Sequence, residues 1–455
     1  MTPPPESSEA SRLTRDIAPA QGRSARRRWW RGVVIFLVAF VVRAGLGTYR
    51  MSQAESVEAL EFPDEQQYWA MAVSLSAGDG LRDELGFRAT RMPLYPCLLA
   101  PMTLLPRGIL VARFVQWIIG ALTAVAAAAL AASLHRSARK PNSAGSTNGI
   151  EVGTGNGIAW LAGLAVALDP FLAVTSSLLL TETVFTLALV GLWLVLARTM
   201  KEADSAKIKW TWVSAGLFSA VCVYLRESAL GLVWAVLALM VFVSRNRRPA
   251  FMGAFAAAAI VFIALIPWAV RNRVILGEWC FLTTRGGISL YDGVRPGATG
   301  ASDLGDVKAM PAVRDLTETE WNHYFMAESW RFIRQEPSRM CRLAWDKLKR
   351  TWNPIPNVET YRSRALRTLT ALWNVPVFIL AAVGGILTWK QQRKGAAAIL
   401  IFLILPTFYV SALHSLFVGS VRYRLVAMPM LEFLAARGLH GLWLSATSGR
   451  NRRAR

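Results

Sequence analysis

Ten apolar stretches, each near the length needed to cross a bilayer, constrain this chain more than any other feature. They run over residues 32–49, 109–134, 158–177, 183–197, 211–225, 229–243, 251–270, 372–389, 396–413 and 425–444. Segments of that length and apolarity satisfy their backbone groups in hydrocarbon only as helices, so the pattern predicts an all-α polytopic membrane protein of about ten or more transmembrane helices. With 54% hydrophobic and 18% charged residues and a mean hydropathy of +0.34, a soluble protein of this size is excluded. The segment from Gly32 has no clear small-residue cleavage site and reads as a retained first span rather than a signal peptide.

Charge sets the topology. Lys and Arg outnumber Asp and Glu by 51 to 29, a formal charge of +22, which in one basic domain would indicate nucleic acid. Here the cations fall in short clusters between spans, at residues 26–31, 135–140, 201–209, 245–248, 390–394 and 450–455, so no nucleic-acid partner is expected. Basic loops stay on the cytoplasmic face, and a cytoplasmic amino terminus returns all of these clusters to that face on counting through the spans. The count predicts a basic cytoplasmic tail at 1–31, a membrane domain at 32–270 with a first outer loop at 51–107, a large outer loop at 271–367, carboxy-terminal spans at 368–445 and a second basic tail at 446–455. Residues 142–157, rich in Ser, Gly, Asn and Thr, read as a flexible linker.

The same count gathers charged residues at one surface: Asp64, Glu65, Arg91, Glu182, Arg226, Glu227, Arg271, Arg273, Arg422 and Arg424. Carboxylates beside hydrocarbon are costly unless paired, solvated or used, which makes Asp64 and Glu65 functional candidates. Arginine's planar fork matches phosphate oxygens, so a phosphate-linked lipid is a natural ligand. Transfer of a sugar from such a lipid needs a base for the acceptor's proton and a cationic cradle for the departing phosphate, and partial burial would raise a carboxyl's pKa toward the useful range.

Each residue also has a plain structural reading. Asp64 with Gln67 resembles a helix-capping pair, Glu182 suits a helix entrance, Arg226 and Glu227 suit an ion pair at a tight turn, and Arg422 and Arg424 suit anchors of the last span. Residues 340–352 form a basic amphipathic pattern with Met340, Leu343, Ala344, Leu348 and Trp352 on one stripe and Lys347 on its basic flank, suited either to a headgroup layer or to a solvated face over the spans. Residues 286–293 lack the ending of a phosphate loop and read as a turn. The histidines and cysteines show no zinc spacing; Cys280 and Cys341 share one outer loop, placed for a disulfide or, as isolated thiols usually are, left unpaired. Asp169-Pro170, within the third apolar stretch, is the main feature favouring transport.

Taken in order, Asp64-Glu65 with Tyr68, the run Arg91 to Pro96, Thr181-Glu182, Gly216 with Leu225-Arg226, the run Pro267 to Asn272, Gly286-Gly287 and Arg422-Tyr423-Arg424 resemble the polyprenyl-phosphate-sugar-dependent GT-C glycosyltransferases. That family includes protein O-mannosyltransferases and the aminoarabinose transferase acting on lipid A. The resemblance implies a GT-C-like bundle with amphipathic helices in the outer loops, in the cytoplasmic membrane, with the active site on the non-cytoplasmic side. It implies transfer of a sugar, with inversion, from a polyprenyl-phosphate donor to a hydroxyl of a lipid, glycan or protein acceptor. Asp64 would be the catalytic base and Glu65 its partner, orienting the acceptor or a divalent cation. Arg91, Tyr95, Glu182, Arg226, Arg271, Arg422 and Arg424 would hold donor phosphate and sugar. The alternative reading is a transporter or flippase for a lipid-linked or anionic solute.

Overall fold

A computed structural model describes residues 7–137, 150–200, 205–305, 307, 310–358, 363–391 and 395–453. The expected linker at 142–157 and several of the basic clusters lie wholly or partly outside them. No strand occurs among the described residues. In chain order the helices are α1 (Ser7–Ser52), α2 (Pro63–Ser76), α3 (Leu94–Thr103), α4 (Gly108–Ser137), α5 (Ile150–Leu168), α6 (Pro170–Thr175), α7 (Glu182–Thr199), α8 (Ser205–Leu225) and α9 (Ala229–Val243). They continue with α10 (Arg247–Leu276), α11 (Gly286–Val294), α12 (Glu318–Gln335), α13 (Pro337–Thr351), α14 (Arg364–Trp389), α15 (Ala396–Leu416), α16 (Val421–Arg424) and α17 (Met428–Arg453).

All ten apolar stretches are helical, but among the described residues seven helices are long and apolar enough to cross a membrane: Trp29–Ser52, Gly108–Leu134, Glu182–Thr199, Arg247–Leu276, Arg364–Trp389, Ala396–Leu416 and Val421–Thr447. The protein is therefore a multi-pass α-helical membrane protein. The stretch at 158–177 is broken, because Pro170 has no N–H to continue α5 and Asp169 instead caps α6, accepting from the Leu172 N–H at 2.8 Å. Helix α9 has 15 residues, which at about 1.5 Å per residue fall short of a hydrocarbon core about 30 Å thick.

Helix α4 lies against α1, α5 and α7, and α17 packs on α14 and α5. At the α14–α17 contact Gly384 faces the Leu434 carbonyl and Gly438 faces the Leu380 carbonyl so closely that a Cβ at either position would collide with backbone. Small residues that let two backbones touch replace the hydrophobic drive that lipid cannot supply. The flank of α10 turns outward, leaving Phe251, Phe255, Phe262 and Ile263 exposed as lipid-facing side chains would be.

Outside the spans, α11 and α12 enclose a small aromatic core of Tyr291, Val313 and Phe325, and the 286–293 stretch is helix rather than the expected turn. Helix α13 forms as expected but buries Leu343, Lys347 and Thr351 at fourfold spacing. Lys347, expected on the basic flank, is 1% exposed and donates to the Leu416 carbonyl at 2.6 Å, and burial brings its pKa down to about 8. Its long stem runs along the protein while its head reaches the open carbonyl at the end of α15. Cys280 and Cys341 are free thiols.

Candidate functional site

Helix α2 begins with Phe62 as N-cap and Pro63 in the first turn. Asp64 is thus not the cap. Glu65 takes that task, accepting from the N–H groups of Glu61 at 3.1 Å and Phe62 at 3.2 Å with one oxygen and from the N–H of Leu179 at 2.7 Å with the other. Successive helical residues diverge by about 100°, so Glu65 points into protein, 0% exposed, while Asp64 lines a cavity. This corrects the expectation that Glu65 works beside Asp64. Glu65→Ala strips an acceptor from three N–H groups and should destabilise the fold by about 3 kcal/mol, at roughly 1 kcal/mol per orphaned donor. A fall in the unfolding temperature in detergent checks it, with Glu65→Gln falling less.

Three guanidiniums converge on Asp64. Arg91 Nη2 bonds Asp64 Oδ1, Arg422 Nη2 donates to Oδ2 at 2.6 Å, and Arg285 Nη2 lies 3.7 Å from Oδ1. Gln67, one helical turn along α2, accepts from Arg91 Nε at 2.8 Å and Arg285 Nη1 at 3.1 Å, and its own amide is anchored on Asp83 at 2.9 Å. Arg422 also gives Nε to Glu182 at 2.9 Å, and Arg226 reaches the same carboxylate oxygen at 3.1 Å. The Tyr68 ring supports Arg91 at 4.8 Å, and the Tyr423 ring supports Arg422 at 5.1 Å and Arg226 at 5.6 Å. Five segments expected on one surface therefore meet at one place, joining positions as distant as 64 and 422.

Burial works to raise the Asp64 pKa, yet the charges of Arg91, Arg422 and Arg285 together hold it well below the ordinary carboxylate range. The expected raised pKa is corrected: this carboxyl is a poor proton acceptor while its arginines hold it. Burial, followed by repulsion from Arg91, presses the Arg285 pKa down against the pull of Asp64. Arg285 also makes the longest of the three contacts to Asp64, at 3.7 Å, so an added anion would meet it with the least competition.

The cluster lines a cavity of about 1130 Å³. Asp64, Glu182 and Glu227 line it with Arg91, Arg226, Arg285 and Arg422, while Leu46, Phe171, Val174, Leu178, Leu366 and Leu369 give it an apolar wall. A surface of this make-up can take an anion joined to a hydrocarbon chain. Among the described residues no three His, Cys, Asp or Glu side chains converge as a metal site, and the Asp64 oxygens are bonded to arginines, so these residues do not fit a divalent cation.

Three further expected site residues lie elsewhere. Tyr95 is 1% exposed and packs edge-on against Tyr68 at 5.0 Å, outside the cavity lining. Arg271 donates to the Arg88 carbonyl at 2.8 Å and to Asn272 at 2.9 Å and lies over the Trp268 ring. Arg424 is fully buried, donating to the Thr351 carbonyl at 3.2 Å and to Asn374 at 3.1 Å between the rings of Phe171 and Phe378. Arg226 pairs with Glu182, not with Glu227 as the tight-turn reading expected. One site residue, Arg285, has no place in the sequence reading, and Gln67, expected only as the second member of a capping pair with Asp64, instead braces Arg91 and Arg285. Gln67 carried one signal, since it follows Asp64 by three positions and so shares its helix face. No protein-family model matches the sequence, and a search of curated proteins returns no match.

Proposed function

We propose that this protein is an integral membrane glycosyltransferase of GT-C type that moves a sugar from a polyprenyl-phosphate donor to an acceptor hydroxyl. The observation that carries this reading is the convergence of Arg91, Arg285 and Arg422 on one carboxylate in a cavity with an apolar wall. The donor's isoprenoid chain lies along the apolar wall, and its phosphate engages the guanidiniums. Asp64 keeps the three arginines aimed inward before the donor arrives and faces the reacting sugar once the phosphate has drawn them off. Charge that grows on the departing phosphate meets groups already in place, which is where such a site lowers a barrier. The shorter apolar helices complete a bundle of ten or more membrane-embedded helices, in the cytoplasmic membrane with the cavity on its outer face, and a lipid, glycan or protein supplies the hydroxyl.

Transport is the second reading, resting on the helix break at Asp169-Pro170. There Asp169 is 0% exposed and its carboxylate is engaged in capping α6, and it is not among the residues lining the cavity. Proteoliposomes loaded with polyprenyl-phosphate sugars and candidate acceptors separate the two. A new glycosidic bond found by mass spectrometry is the expected result, and net solute movement without a covalent product would replace the proposal.

Arg285→Ala provides a graded check on the cradle. Loss of one charge-assisted bond worth about 1.5–3 kcal/mol should weaken binding of a polyprenyl phosphate by roughly 10- to 100-fold with the fold intact. Unchanged binding would remove Arg285 from the cradle.

A further inference from the structure

Glu227 is a cavity-lining acid at the arginine cluster whose carboxylate no described residue holds. Asp64 is shared among Arg91, Arg422 and Arg285, and Glu182 between Arg226 and Arg422. Glu227 lines the same cavity at the turn between α8 and α9, yet its carboxylate makes no hydrogen bond or ion pair among the described residues. It is partly exposed and follows Arg226, whose guanidinium reaches Glu182, so it sits beside the cluster.

A carboxylate takes a proton from an incoming hydroxyl through an oxygen left open to it. Both Asp64 oxygens are bonded to arginines in the resting cavity, whereas those of Glu227 are not. The adjacent backbone also explains why Glu227 stays free. Arg226, its chain neighbour, extends across to Glu182 and lies over the rings of Phe185 and Tyr423, so the short turn sends the two side chains apart.

The geometry points to Glu227 as the proton acceptor for the acceptor hydroxyl, an inference that rests on the glycosyl-transfer reading. The hydroxyl oxygen bonds to the anomeric carbon, the bond from that carbon to the phosphate oxygen breaks, and its electron pair leaves with the polyprenyl phosphate. The hydroxyl proton passes to a Glu227 oxygen. The leaving phosphate gains one negative charge, which Arg91, Arg285 and Arg422 meet. Two acids thus divide the work: Asp64 aligns the guanidiniums, and Glu227 receives the proton.

Two measurements on the full chain in lipid nanodiscs test this. A hydrophobic carbodiimide followed by peptide mapping should modify Glu227 and leave Asp64 and Glu182 intact, and excess polyprenyl phosphate should suppress the modification. Label on Asp64 with none on Glu227 would overturn the inference. In single-turnover transfer Glu227→Gln should be roughly 10²-fold slower or worse. Its affinity for polyprenyl phosphate should stay within twofold of the native protein, and Glu227→Asp should regain part of the rate. Native speed in Glu227→Gln sinks the inference and leaves glycosyl transfer standing. A native protein that transfers no sugar from any polyprenyl-phosphate donor sinks both.

Discussion

Replacing Asp64 with asparagine should slow sugar transfer by roughly 10²-fold or more, the usual effect of losing one preorganised electrostatic group at a reaction centre. The variant should still fold and insert, because the start of α2 depends on Glu65 and Pro63 rather than on Asp64. An amide offers one acceptor oxygen and no charge, so Arg91, Arg285 and Arg422 lose the group that draws them together and repel one another. Binding of a polyprenyl phosphate should not fall, since the carboxylate that competes for those guanidiniums has lost its charge. The expected pattern is a rate lost with affinity kept, read from single-turnover transfer and from direct binding. A loss of affinity equal to the loss of rate would assign Asp64 to donor binding alone.

Arg422→Ala should have the second largest effect. Its guanidinium spans two acids, with Nη2 at 2.6 Å from Asp64 and Nε at 2.9 Å from Glu182. Without it Glu182, whose side chain is 3% exposed, keeps only Arg226. Breaking a buried ion pair from one side costs about 3–5 kcal/mol, and the low end applies because the Arg422 side chain is 23% exposed. Both the unfolding temperature and transfer should therefore drop, transfer by roughly 10²-fold or more. Arg422→Lys should not rescue it, because a single ammonium lacks the planar fork that reaches two carboxylates in different directions. Native activity in the lysine variant would show that Arg422 contributes charge and nothing geometric.

Apolar run lengths marked ten helical stretches, seven of them long and apolar enough to span among the described residues, and Asp64 and Arg422, which the expected span count sets at one surface, touch. Those properties are local and read directly along the chain. Helical phase is not. Asp64 and Glu65 are neighbours with the same charge, yet one lines the cavity and the other caps α2. Arg422 and Arg424 are two apart, which on a helix turns them about 200° from each other, so one meets Asp64 and the other is spent on backbone carbonyls near α14. Which member of each pair faces inward depends on how the helix packs against distant segments. Arg285 was overlooked because an isolated arginine before two glycines carries no pattern of its own; its role comes from Asp64 and Gln67 more than 200 positions away. The lowered Asp64 pKa is hidden from the sequence for the same reason, as burial is foreseeable along the chain whereas three converging cations are not.

We propose that the arginine-held carboxylate in this cavity serves transfer of a sugar from a polyprenyl phosphate. The most direct test is mass spectrometry of envelope lipids and glycans from cells lacking the gene, complemented with either the native chain or Asp64→Asn. The account predicts that one monosaccharide disappears from an envelope lipid or glycan, that the matching polyprenyl-phosphate sugar accumulates, and that only the native chain reverses both changes. Full restoration by Asp64→Asn, or an unchanged inventory without the gene, would contradict it.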